Sequence, residues 1–459
     1  MKGKEKREIN EMTPLMVLAG PMFGELLLNI LVNNVDTLML SHYSETGVGA
    51  VGNANQVMFF LILMFNIIAN STSIVVAQYL GAKQYKKMNM IYSLAVIVNL
   101  VSGIIFCSIF VSAKYFIMEL INVPVNMRAE AAVYINIVGG TLFLQAIYNV
   151  MLAILRCNGH AKIGMYISVA INFINIVGNY TFLYGPLSYL KLGVGGAAIS
   201  TALARTVAVI ASIAFFYRNN IGRIALKYIR PFPGRMLLEM IKIGLPAAGE
   251  NMSYNLYQIV LLSFINGMGE NAVNAKVYSA SLVSLSMVFS NSAAMATQII
   301  TGHLVGAGKE DAAYKRVFST LKVSLPITVG LATINWLLSP YTLHIFTNNA
   351  EIIKMGSFIM LVDIAIEFGR CLNMTFVSSL KAAGDYVFPL VVGLIMMWGF
   401  GATVGYGMGV LAGIGVAGVF MGTATDEVLR GLLTMERWRR RSWSGKALVN
   451  AERNKIDVD

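Results

Sequence analysis

The chain has 459 residues, of which 56% are hydrophobic and only 13% charged, roughly half the charged share of about 25% in ordinary soluble domains. That composition all but excludes a soluble enzyme and points to a protein whose surface faces lipid. The excess of 35 Lys and Arg over 23 Asp and Glu gives a net charge of +12, which reads as nucleic-acid affinity only where loop topology does not account for it.

Crossing a hydrocarbon core takes about 20 apolar helical residues. Taken in chain order, the apolar runs predict twelve spans, at residues 13–40, 49–80, 90–113, 129–156, 161–184, 193–217, 236–266, 272–305, 315–339, 350–381, 386–411 and 413–435. These runs far exceed the roughly 10-residue alternating segments of a membrane barrel, and in lipid every backbone group must be paired, so the expected fold class is an all-α polytopic membrane protein. The charged start, Met1 to Asn10, leads into an apolar run with no small-residue cleavage site, which predicts a retained first helix.

Twelve spans place both termini and every second loop on one side. That side receives 28 of the 35 basic residues, including Lys2, Lys4, Lys6, Arg7, Arg453 and Lys455; the other receives Lys114, Arg128, Lys191 and Lys354. Such asymmetry assigns both termini to the cytoplasm and turns the net charge into a topology signal. The Glu436–Arg441 run then reads as a headgroup anchor on the bilayer, with no nucleic-acid partner expected.

The chain also repeats itself. At a shift of 225 residues Pro21 falls on Pro246, Glu25 on Glu250, Gly81-Ala82 on Gly306-Ala307 and Leu155-Arg156 on Leu380-Lys381; after a small gap, the run from Gly193 matches that from Gly413 at 220. A repeat of six spans predicts two six-helix lobes of equal orientation, related by a pseudo-two-fold axis along the membrane normal. The expected divisions are an N-lobe at 1–217, a connecting cytoplasmic loop at 218–235 with Pro231, Pro233 and Gly234, a C-lobe at 236–435 and a basic cytoplasmic tail at 436–459. The two prolines can kink the first helix of each lobe, and the Gly-Ala pairs suit tight packing.

Function is sought where the repeat fails. Asp36 lies inside span one and its counterpart is Leu261; a carboxylate at that depth is costly unless it pairs, binds a cation or takes up a proton. Span five carries Asn172, Asn175 and Asn179, the last two four residues apart on one helix face. Their amides could coordinate a cation beside Asp36 or simply hydrogen-bond across helices. Span ten carries Asp363, Glu367, Arg370 and Asn373, the last three forming one polar stripe that serves either as a structural ion pair or as a second-lobe site. The duplicated Glu25 and Glu250 lie near the cytoplasmic ends, where they suit a gate or packing.

His42, His160, His303 and His344 have no partners at ligand spacing, so no metal centre is expected beyond a cation at Asp36. Cys107, Cys157 and Cys371 read as packing residues. Aromatic side chains could line a cavity for flat cations. There is no phosphate-binding loop of the ATPase type, so transport would draw on an ion gradient.

In the order and spacing of these motifs the chain resembles the multidrug and toxic compound extrusion (MATE) family. The resemblance rests on Pro21-x3-Glu25-x10-Asp36-Thr37, Gln78-Tyr-Leu-Gly81-Ala82, His303-Leu-Val-Gly306-Ala307 and Gly193-Val-Gly-Gly-Ala-Ala-Ile-Ser-Thr201. In the second half, Glu367-x2-Arg370-x2-Asn373, Leu380-Lys-Ala-Ala-Gly384-Asp385 and Asp426-Glu427-x2-Arg430 extend it, so that it runs from about residue 13 to 443. It implies an antiporter of the bacterial plasma membrane that exports organic cations or drugs in exchange for Na⁺ or H⁺, as a monomer with no cofactor and no enzymatic activity. The family's first-span aspartate falls on Asp36 and its cation partners on Asn175, Asn179 and Thr201. Asn179 stands where some members carry a second aspartate, which leaves the choice of ion open. An ion at Asp36 is expected to shift span one at the Pro21 kink and so exclude the exported compound. The alternative is a lipid-linked oligosaccharide flippase of the same broad superfamily, which should have more spans and a cationic cavity.

Overall fold

A computed structural model describes residues 9–190 and 192–449, apart from the side chains of Asn34 and Glu45. Lys2, Lys4, Lys6, Arg7, Lys191, Arg453 and Lys455, used above to orient the chain, lie outside the described residues, as does the end of the expected tail. The described elements are helical throughout: α1 Leu15–Tyr43, α2 Glu45–Gly81, α3 Tyr85–Ser112, the short α4 Lys114–Leu120, α5 Val125–Tyr134, α6 Leu142–Cys157, α7 Ala161–Leu183 and α8 Val194–Arg218. They continue as α9 Gly234–Asn266, α10 Glu270–Gly306, α11 Glu310–Leu343, α12 Ala350–Ala382, α13 Val387–Ile395, α14 Ala402–Tyr406 and α15 Val416–Arg439.

Among the described residues eight helices are long and apolar enough to cross a membrane, and a ninth span is added if α5 and α6 are taken together across their 40° bend. Three further helices, α9, α12 and α15, are long enough but carry charge in their middles: Glu250 in α9, Glu367 and Arg370 in α12, and Asp426, Glu427 and Arg430 in α15. They complete the twelve-span, two-lobe architecture. Their charges are tolerated because they are paired inside the protein.

Two spans depart from regular helix. Between α5 and α6 a π turn at Ile135–Gly139 precedes the bend, and α13 and α14 are separated and followed by π turns at Met396–Gly401 and Gly407–Leu411. Glycines in each turn relax the backbone, and the wider turn displaces one hydrogen bond. Helix α1 runs through Pro21 as one element.

The chain divides into two compact units. The first comprises Gly24–Val76 and Gln84–Gly244; the second comprises Ile9–Phe23, Ala77–Lys83 and the chain from Leu245 onward. In the first, α7 packs on α8 and α6 on α3 and α8, around a core that includes Met58, Phe65, Phe110, Ile135 and Leu142. The connection beyond α8 folds back on α3: Asn89 Oδ1 accepts from Arg223 N at 2.7 Å and Ser93 Oγ from Ala225 N at 3.0 Å. In the second, α12 is central, packed against α10, α11 and α15.

Two glycines of the repeat make one close crossing in the second unit. A Cβ on Gly81 would run into the carbonyl oxygen of His303, and a Cβ on Gly306 would run into that of Gln78. The tail also packs within this unit. Trp443 stacks on Trp438 with ring centroids 4.1 Å apart, Asp385 pairs with Arg437 and Lys446 at 2.9 Å each, and Arg441 pairs with Asp311 at 2.6 Å. Much of the basic run read as a headgroup anchor is therefore engaged by the protein itself.

Candidate functional site

A cavity of about 680 Å³ lies in the first unit, walled by α1, α2, α7 and α8 and by residues near the α5–α6 bend. Asp36 projects into it from α1. The helical spacing of Asn29, Asn33 and Asp36 puts all three on one face, and all three line the cavity. From α7, Ser168, Asn172, Asn175 and Asn179 form a facing stripe at steps of four, three and four residues. Helix α8 adds Thr201 and Arg205. Gly178 allows the α7–α8 approach, since a Cβ there would collide with Ser200, whose Oγ donates to Asn175 O at 2.8 Å.

Asp36, Asn175, Asn179 and Thr201 come together in one network. Asn179 Nδ2 donates to Asp36 Oδ1 at 2.8 Å. The Asn175 amide fits in either of two orientations. With its oxygen toward α1 it accepts from Asn179 Nδ2 at 3.2 Å while its nitrogen donates to Thr201 Oγ1 at 3.1 Å. Turned over, its nitrogen donates to Asp36 Oδ1 at 2.7 Å and Oδ2 at 2.9 Å while its oxygen accepts from Thr201. The first orientation sets two oxygens against each other and suits an Asp36 that holds a proton or a cation; the second suits a bare carboxylate. Asn179 Oδ1 is buried and has no hydrogen-bond partner among the described residues. Asn29 Oδ1 accepts from Ser168 Oγ and Asn172 Nδ2, both at 3.1 Å, which fastens α1 to α7 two turns away.

Glu367, Arg370 and Asn373 also meet, but inside a larger buried network of the second unit. Arg370 pairs with Glu367 and lies 3.6 Å from Glu427, to which Asn373 Nδ2 donates at 2.8 Å. Arg430 bridges Asp426 at 2.6 Å, Glu427 at 3.6 Å and Glu250 at 3.7 Å. Glu250 in turn holds Lys381 at 2.6 Å, while Glu25 in the first unit holds Arg156 at 2.7 Å. Every acid in these pairs is buried. Both glutamates read as candidate gates thus sit in repeat-related ion pairs.

Sequence reading missed Asn29, Asn33 and Ser168, although their helical steps to Asp36 and Asn172 were a usable signal. It also left Arg205 unassigned.

Set beside known proteins, the chain matches the MatE family twice, over residues 21–181 and 246–407, which are the two copies of the repeat. It is 33% identical over 444 residues to the uncharacterized transporter YisQ of Bacillus subtilis, covering 97% of this chain and 98% of that one. It is 24% identical to the probable multidrug resistance protein NorM of Thermotoga maritima, over 98% and 97% of the two chains. Among solved structures, an outward-facing multidrug resistance MATE family transporter of the MOP superfamily superposes with a TM-score of 0.87 at 21% identity, over 96% of this chain and 98% of that one. A MATE protein in its bent conformation does so with 0.88 at 20% identity, over 98% and 100%. With the family matched in both halves and a relative aligned over nearly the full length, the chain belongs to the MatE family of membrane transporters, the MATE efflux transporters.

Proposed function

We propose that the protein is a secondary antiporter that exports organic cations and drugs across the bacterial plasma membrane in exchange for Na⁺ or H⁺, by rocker-switch alternating access. The observation that carries this reading is the orphaned acceptor Asn179 Oδ1 beside Asp36 at the wall of a cavity. A carboxylate, two amide oxygens and a hydroxyl form a hard oxygen donor set suited to Na⁺, and the carboxylate alone suits a proton. The drug-resistance names of the relatives agree with a small organic cargo.

Asp36 binds the coupling ion with Asn175, Asn179 and Thr201. Occupancy draws α1 toward α7 and narrows the cavity, so ion and cargo exclude one another; mutually exclusive occupancy converts two binding equilibria into exchange. The protein works as a monomer with both termini in the cytoplasm. The test is dye efflux from vesicles under an imposed Na⁺ gradient or an imposed pH gradient. One gradient drives efflux through the native protein and neither drives it through Asp36→Asn; efflux that survives the substitution overturns the assignment.

A further inference from the structure

Arg205 differs from three other arginines of the spans. Arg156 pairs with Glu25, Arg370 with Glu367 and Glu427, and Arg430 with Asp426, Glu427 and Glu250. Arg205 lines the cavity of the first unit and makes no ion pair with any carboxylate of the described residues. Its Nη1 donates to Val138 O at 3.4 Å, a long bond. An unpaired cation at this depth is costly to keep.

The repeat sharpens the point. At the 220-residue register the counterpart of Arg205 is Thr425, just as that of Asp36 at 225 is Leu261. Both charges are departures from the repeat, they are opposite in sign, and they face one cavity. Thr201, which belongs to the Asp36 network, and Arg205 lie one turn apart on α8, about 6 Å along its axis. A planar guanidinium with five donors matches a carboxylate in a two-pronged hydrogen bond.

We infer that Arg205 binds an anionic group of the exported compound, so that this cavity takes amphoteric organic molecules carrying a carboxylate as well as a cationic centre. The inference rests on the efflux reading above and narrows its substrate class. Arg205 is then a specificity-determining residue, and the Val138 carbonyl holds the guanidinium aimed at the cavity until cargo arrives.

The test uses the full chain, purified in detergent, with two probes: rhodamine B, which bears a free carboxylate beside its cationic ring system, and the ethyl ester of the same dye. Fluorescence polarisation reads each affinity. The native protein is expected to bind the acid about ten-fold tighter than the ester, and Arg205→Gln to bind both alike by losing affinity for the acid. Equal affinities in the native protein overturn the inference without any variant, so the test survives an Arg205→Gln that fails to fold. Parallel weakening of acid and ester in Arg205→Gln also overturns it, because it assigns the residue to holding the Ile135–Gly139 turn. Ester efflux driven by an ion gradient, with no acid preference in binding, sinks this inference alone. A preference in binding with no gradient-driven efflux of either dye sinks the antiport reading.

Discussion

Arg156 donates to Glu25 at 2.7 Å across 131 residues of sequence, and its repeat counterparts, Lys381 and Glu250, pair at 2.6 Å across the same separation. In each unit the pair ties the first helix of the repeat to the C-terminal end of the fourth. Among the described residues the first-unit pair stands by itself, with Glu25 Oε2 and Arg156 Nε lacking partners. The second has Arg430 at its side.

Breaking a buried pair from one side strands a charge. Glu25→Gln is therefore expected to destabilise the protein by about 3–5 kcal/mol, while the double variant Glu25→Leu with Arg156→Met recovers most of that loss. Apparent Tm in detergent measures it. A double variant less stable than either single one contradicts the view that the charges matter chiefly to each other.

Asn179 gives Asp36 the 2.8 Å hydrogen bond that fixes its carboxylate toward α7. Asn179→Ala removes that bond and the orphaned oxygen assigned to the ion in the proposed function together, and a bond to a charged group contributes about 1.5–3 kcal/mol. The expected outcome is a rise of roughly ten-fold or more in the ion concentration that half-saturates efflux, with substrate binding in the absence of ion little changed. An unchanged half-saturation point would remove Asn179 from the coupling site.

The Gly81–Gly306 crossing admits no side chain. Gly81→Ala and Gly306→Ala should each cost about 1–3 kcal/mol, because the added methyl meets backbone carbonyls rather than a movable side chain. Gly330→Ala is the control: nothing lies near its added methyl, and removing a helical glycine should raise stability by about 0.5–1 kcal/mol. Thermal unfolding of the three variants side by side decides whether the crossing is as tight as its geometry states.

Trp443 is buried on Trp438, and its Nε1 donates to Trp438 O at 3.1 Å. Trp443→Ala is expected to cost about 3–5 kcal/mol, the usual loss for a large buried aromatic, and to expose the Arg441–Lys446 segment to protease. A variant with native Tm and native cleavage pattern would return the tail to the role of a simple membrane-surface anchor.

Sequence by itself determined the helical architecture, because a hydrocarbon solvent leaves the backbone little choice and the apolar runs are long. It determined the repeat as well, since matched glycines, prolines and charges keep one register over most of the chain. It also singled out Asp36, whose charge has no counterpart in the other half. Helical steps placed Asn175 and Asn179 on one face, yet a step says only which side chains share a face and not what that face meets.

The tertiary structure decided the partners. It brought α7 against α1, so that Asn179 rather than Asn172 bonds Asp36. It absorbed Glu367, Arg370 and Asn373 into a network with Glu427 and Arg430 that no single helix could display. It folded the basic tail onto Asp385 and Asp311. And it left Arg205 facing the cavity that Asp36 also lines, with no ion pair to a carboxylate of the described residues. Pairing between residues more than a hundred positions apart depends on how helices pack, and packing is fixed by side-chain shape across the unit, which no local pattern records.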